Sequence, residues 1–167
     1  MKKTNSFILA VLVITIAFTA CKGSKSTTKT EPAASTADAG QARLEANKKI
    51  ATEFIQALVG DKDSTAIDKY IADNIKEHNP ALQDGKEWLK NTLRPFLENP
   101  NIEKIKVNIA MTSAEGDMVW LLIKDVAPNG KVFARVTIFR IENGKIAEAW
   151  KVAEAVPAKS ENENTMF

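Results

Sequence analysis

Apolar positions along the chain follow two periods, one after the other. Leu44, Ile50, Ala51, Phe54, Ile55 and Leu58 recur at spacings of three, four and seven. This predicts an amphipathic helix over residues 42–59, stopped at Gly60. Asp63 stands where an acid caps a short second helix, residues 64–71, which would bury Ile67, Tyr70 and Ile71. Asp84-Gly85-Lys86-Glu87 has the form of a capping box. Trp88, Leu89, Leu93 and Phe96 give the third helix an inner face, and Pro95 is expected to kink or end it. After Pro100 the period shortens to two. Residues 102–111, 118–126, 131–141 and 145–155 alternate and are rich in Val, Ile and aromatics, which predicts four antiparallel strands. Glu115-Gly116-Asp117, Pro128-Asn129-Gly130 and Asn143-Gly144 supply the turns, the last favouring a tight two-residue hairpin. Helices followed by such strands predict an α+β fold, with the helices packed on one face of a curved sheet.

The ends of the chain follow neither period. Lys2 and Lys3 precede an apolar run, residues 7–18, interrupted only by Thr15. That run is shorter than the roughly 20 residues needed to span a bilayer and has the length of a signal peptide. It leads into Phe18-Thr19-Ala20-Cys21, which resembles the lipobox of bacterial lipoproteins, with Phe18 where Leu is usual. The resemblance implies cleavage after Ala20, a diacylglycerol on the Cys21 thiol and an acyl chain, such as palmitate, on the new amine. The expected organisation is a signal peptide (1–20), a flexible tether from the lipidated cysteine (21–41), one domain (42–157) and a polar tail (158–167). The tether is rich in Ser, Thr, Lys and Ala and has no large apolar side chain to bury. Such a protein would work in the cell envelope, held to a membrane by its lipid and facing the periplasm or the exterior.

Cys21 is the only cysteine, so the domain is expected to hold together without disulfides. Of 23 basic residues, Lys2 and Lys3 leave with the signal, and the remaining 21 balance 21 acidic ones. A neutral domain with no basic stripe argues against nucleic acid as a partner.

Several segments together point to a family. Glu77-His78-Asn79-Pro80 followed by Asp84-Gly85 resembles the "HNP…DG" segment of SnoaL-like proteins, a branch of the NTF2-like superfamily. Gly116-Asp117-Met118-Val119 resembles the family's "GD-x-V". Ile138-Phe139-Arg140, then Gly144-Lys145-Ile146 and Glu148-Ala149-Trp150, is similar to its "D-I-F-R…GKI-x-E-H-W-D" ending. The resemblance implies an NTF2-like cone, a bent sheet wrapped round helices with a mostly apolar pocket at the wide end. Some relatives run acid–base chemistry there, such as aldol cyclisation, which needs a base and a donor for the developing enolate. The family's acid falls on Thr137, its histidine on Ala149 and its final aspartate on Lys151. A second histidine of relatives falls on Leu122. The framework is kept while its proton-transfer groups are replaced.

The expected pocket lining is Tyr70, His78, Trp88, Leu122 and Phe133, with Arg135, Thr137, Phe139, Ala149 and Lys151 completing it. His78 is the only histidine. It is a candidate proton shuttle or ligand donor at the pocket mouth, or a structural residue orienting the turn before Asn79-Pro80. Arg135 either binds a ligand carboxylate or pairs with Asp125 at the rim. Lys151 either accepts an anion or extends to water. One histidine without partners makes no zinc site, and no cofactor is implied. The leading expectation is a lipoprotein that binds a small apolar or carboxylated molecule without the family's base. The alternatives are an enzyme whose base has moved to His78 or Asp125, and an interaction module, a homodimer through the sheet face. A solvent-connected cavity lined by Phe133, Thr137 and Phe139 would favour a ligand, and a filled interior the module.

Overall fold

The structure, a computed structural model, describes residues 36–127 and 129–167. Helix α1 (Thr36–Ile55) continues into a wider turn, Gln56–Gly60, in which the Asp61 N–H donates to the Gln56 carbonyl at 2.8 Å. Helix α2 (Thr65–Tyr70), strand β1 (Ile71–Glu77) and helix α3 (Lys86–Leu97) follow. The remaining strands are β2 (Asn108–Glu115), β3 (Met118–Val126), β4 (Val132–Glu142) and β5 (Lys145–Ala155). They form one five-stranded sheet in the order β1-β5-β4-β3-β2. β1 runs parallel to β5 and every other pairing is antiparallel. Bulges at Ile109/Met111 and Arg140/Ile141 bend it.

The α+β expectation stands, with three corrections. The sheet is mixed, because β1, which buries only Ile71 and Ile75 and carries no alternation to read, joins it parallel to β5. β2 starts at Asn108 instead of residue 102, because side chains hold the segment before it. Gln56 donates to the Ile105 carbonyl (3.0 Å) and accepts from the Val107 N–H (3.0 Å), while Lys62 donates to the carbonyls of Asn99 and Ile102. α1 begins at Thr36, so residues 36–41, read as the end of the tether, are helical. They are exposed Thr, Ala, Asp, Gly and Gln with no apolar stripe, so periodicity could not reveal them. Smaller differences concern caps. Asp84 does not cap α3, whose N-cap is Gly85; its carboxylate accepts the Glu77 N–H at 2.8 Å and ties the end of β1 to the α3 approach. Asp63 accepts from the N–H of Thr65 (2.9 Å), the first residue of α2. Pro95 sits within the last turn of α3, which ends two residues later. The Asn143-Gly144 hairpin forms as expected, both residues at positive φ (51° and 73°) between paired Glu142 and Lys145.

The core lies between the helices and the inner sheet face. Ala51, Phe54 and Ile55 of α1 and Ala66 and Ile67 of α2 meet Val119, Leu121 and Ile123 of β3 and Ile146 of β5. Asn47, in the middle of α1, ties the helix to the sheet by donating to the Gly116 carbonyl in the β2–β3 turn (3.4 Å). Gly60 is required by close approach. Its carbonyl accepts the Ile105 N–H (2.9 Å), and a Cβ there would meet the Gln56 amide and stand 2.5 Å from the Ile105 carbonyl oxygen. Gly60→Ala is therefore expected to cost about 2–3 kcal/mol in urea unfolding, since backbone as well as side chain must shift.

Candidate functional site

Side chains alternate along strands, so the register assigns each to a face. On the inner face Leu121 stands opposite Thr137, which stands opposite Lys151. Ile123, Arg135 and Ala153 form the next row, and Val119, Phe139, Ala149 and Glu77 the row on the other side. Exposure rises along this face. Val119, Leu121 and Ile123 are fully buried, Phe133 is half-buried, and Lys151 and Ala153 are exposed. The face therefore opens at the Lys151–Ala153 end. Its other half is filled, with Phe54 edge-on to Phe139 (centroids 5.7 Å) and to Tyr70 (6.1 Å).

At the boundary between the two halves lies a small polar set. Arg135, 8% exposed, donates from Nη2 to Asp125 Oδ1 (2.8 Å). Its Nε lies 2.5 Å from Asp125 Oδ2 but off the line of its N–H, so this contact carries charge attraction without a hydrogen bond. Thr137 is 5% exposed, and its hydroxyl has no hydrogen-bond partner among the described residues. Of the two expectations for Arg135, pairing with Asp125 is the one observed. Lys151 extends to water.

Glu77, at the end of β1, shares the inner face with Ala149. Burial pushes its carboxyl above the ordinary carboxylate range, opposed by the Asn79 N–H (3.1 Å) and the nearby charges of His78 and Lys151. An acid pKa raised by folding contributes stability that is lost as pH rises through the ordinary carboxylate range into the raised folded value. Glu77→Gln should therefore gain stability relative to the parent as pH rises through that window and show no gain below it. Urea unfolding at a series of pH values reads the difference. Glu148 behaves oppositely. Hydrogen bonding to His78 and then to Arg140 lowers its pKa, so its contribution is lost as pH falls.

Several expected pocket residues lie elsewhere. His78 is on the outer face, stacked flat on Trp150 (4.3 Å, 3°), with Nε2 3.0 Å from Glu148 Oε2, and Glu148 Oε1 accepts from Arg140 Nε (2.9 Å). His78 follows inward-facing Glu77, so alternation turns it away from the cone. Leu122 also faces outward, between Met111 and Val136, because it falls one residue out of phase with Leu121. Tyr70 is a core residue that donates to Glu53 (3.0 Å). Trp88 is half-buried on α3, outside the buried core cluster. Phe133, Arg135, Thr137, Phe139, Ala149 and Lys151 do share the inner face. Cys21 lies outside the described residues.

The outer face carries two apolar rows, Met111–Leu122–Val136–Val152 and Trp120–Ile138–Trp150, with Met111 58% and Val152 69% exposed. Arg140, Glu148 and Lys76 border them on one side, and Lys124 and Glu154 on the other. A cavity of about 270 Å³ lies between α2 and α3, lined by Thr65, Ile67, Asp68, Lys90 and Arg94. A second, open, of about 590 Å³, lies at the sheet end between Gly130–Val132 and Ala155–Ala158. Neither is lined by Phe133, Thr137 or Phe139, so neither is the solvent-connected cavity expected of a ligand site on the inner face. Among the described residues no helix is long and apolar enough to cross a membrane, and no group of three or more His, Cys, Asp or Glu is placed to hold a metal.

A family profile described as "SnoaL-like domain" matches residues 51–149. Solved structures share the fold at low identity. An NTF2-like protein of unknown function from Cytophaga hutchinsonii is 22% identical with a TM-score of 0.53, covering 65% of this chain and 89% of its own. An LEH-like epoxide hydrolase of M. tuberculosis is 15% identical with a TM-score of 0.54, covering 67% and 85%. A putative ketosteroid isomerase from Kribbella flavida is 9% identical with a TM-score of 0.56, covering 74% and 89%. No curated protein matches the chain.

Proposed function

The chain belongs to the SnoaL-like domain family, and we propose that it is an envelope lipoprotein, anchored through Cys21, whose domain binds a small, largely apolar molecule on the inner sheet face. The observation that carries this reading is the Thr137 hydroxyl, buried without a partner among the described residues, one inner-face row from Arg135. Burying an unpaired hydroxyl costs about 1–3 kcal/mol, and native structures keep few such groups. A ligand oxygen entering from the Lys151–Ala153 end would supply the missing partner. The Phe54–Phe139–Tyr70 cluster closes the narrow half, which confines the ligand to the outer half of the cone. Entry requires side chains at the mouth to move, because the hydroxyl is shielded from solvent.

The family's base-driven reaction has no counterpart in this reading, since Thr137 and Ala149 occupy the positions of the acid and the histidine. An enzyme with a relocated base would have to use Glu77, because His78 faces outward and Asp125 is held by Arg135. Mass spectrometry of protein purified from membranes tests both halves of the proposal. The expected result is an acyl mass increment on Cys21 and a small molecule released on denaturation. An unmodified cysteine overturns the anchor, and protein free of any small molecule overturns the pocket.

The two apolar rows on the outer face support a second property, pairing with another copy of this chain through the sheet. Exposed apolar bands of this kind, rimmed by charge, mark association surfaces. Sedimentation should report a dimer that Val152→Glu converts to monomer; a monomeric parent would overturn this.

A further inference from the structure

We propose that the end of the chain, Met166-Phe167, competes internally for the outer sheet face, so that two copies pair only as their tails release; this rests on the pairing reading above. Residues 157–165 are exposed, yet Met166 and Phe167 beyond them are half-buried. The hydrogen bonds of this tail are local. Ser160, Asn162 and Thr165 each accept the backbone N–H two residues on (3.3, 2.9 and 3.3 Å). Among the described residues, the last backbone bond to the sheet is the one from the Val156 N–H to the Val132 carbonyl (2.9 Å). The end of the tail is held by its ring instead, with the Lys124 ammonium 5.3 Å from the centre of Phe167. Lys124 follows inward-facing Ile123, so it stands on the outer face and borders the Met111–Leu122–Val136–Val152 row. The chain thus leaves β5 and ends against β3, two strands away in the sheet.

Sheets that pack face to face lie about 10 Å apart, a gap that their own side chains fill. A stable interface takes about 800 Å² from each copy, more than two rows of side chains offer, so a partner's footprint reaches the Lys124 border. A docked Phe167 and a second copy cannot both occupy that border. The docking is weak by construction, because an exposed cation–π contact contributes little and the tail adds no hydrogen bond to the sheet. Weak docking suffices, since both copies must release at once. A tail docked about two-thirds of the time leaves about a third of each copy competent, which raises the apparent dissociation constant of the dimer about ninefold. The tail therefore sets the concentration at which copies pair.

Sedimentation equilibrium of the full chain over a concentration series tests this. Deleting residues 159–167 should tighten pairing about ninefold. Phe167→Ser, a change of the last residue, outside the buried core, should give most of that gain. Lys124→Gln should tighten pairing in the intact chain and add nothing once the tail is gone, which separates its hold on the ring from any contact of its own with the partner. Weaker pairing without the tail overturns the proposal, because the tail would then belong to the interface. A constant left unchanged by the deletion and by Phe167→Ser overturns it as well, while the pairing of the sheet faces stands. A monomeric parent removes the pairing reading, and this inference with it.

Discussion

Phe54→Ala should destabilise the domain by about 3–5 kcal/mol in urea unfolding, the range found when a buried aromatic is cut back in a core that cannot collapse. Phe54 projects from α1 into the narrow half of the cone, where it meets Tyr70 and Phe139 edge-on. Its neighbours come from α2, β3 and β4 as well as α1, so no single element can move in to fill the gap. Phe54→Leu, which keeps most of the volume, should cost much less. A loss below about 1 kcal/mol for the alanine variant would mean that the narrow half is loosely packed, and would restore it as ligand space.

Asp125→Ala should cost about 2–3 kcal/mol, somewhat below the 3–5 typical of broken buried pairs, because the Asp125 side chain is 33% exposed. The loss comes less from the missing attraction than from Arg135, left charged and buried among apolar neighbours. The double variant Asp125→Ala/Arg135→Met should therefore recover most of the stability, and a double-mutant cycle by urea unfolding measures that recovery. Additive losses would show that Arg135 reaches water by another route and needs no counter-ion.

The periodicities gave α2, α3 and β3–β5 to within a few residues, because each of these buries one regular stripe. Residues 36–41 and β1 were illegible for opposite reasons. The first bury nothing, so their helix leaves no apolar period, and the second is a short edge strand held by its backbone pairing to β5. The family motifs located Thr137 and Ala149 on the inner face. Phase separated the rest, since a shift of one residue sends Leu122 and His78 outward and brings Glu77 in. That shift was open to reading for His78, as Ile75 and Glu77 share one face of an extended segment, but only once the segment is known to be a strand. The unpaired state of the Thr137 hydroxyl belongs to no pattern in the sequence. It depends on what the neighbouring strands and helices bring within hydrogen-bond reach.

Thr137→Val tests the central claim most directly, because it keeps the shape of the side chain and removes only the hydroxyl. If the hydroxyl is held for a ligand, thermal unfolding of the ligand-free variant should rise by about 3–5 °C, as about 1 kcal/mol of unmet burial is relieved. Binding of an ester probe should fall about tenfold at the same time. A lower melting temperature with binding unchanged would show that the hydroxyl has an internal partner, and would contradict the account.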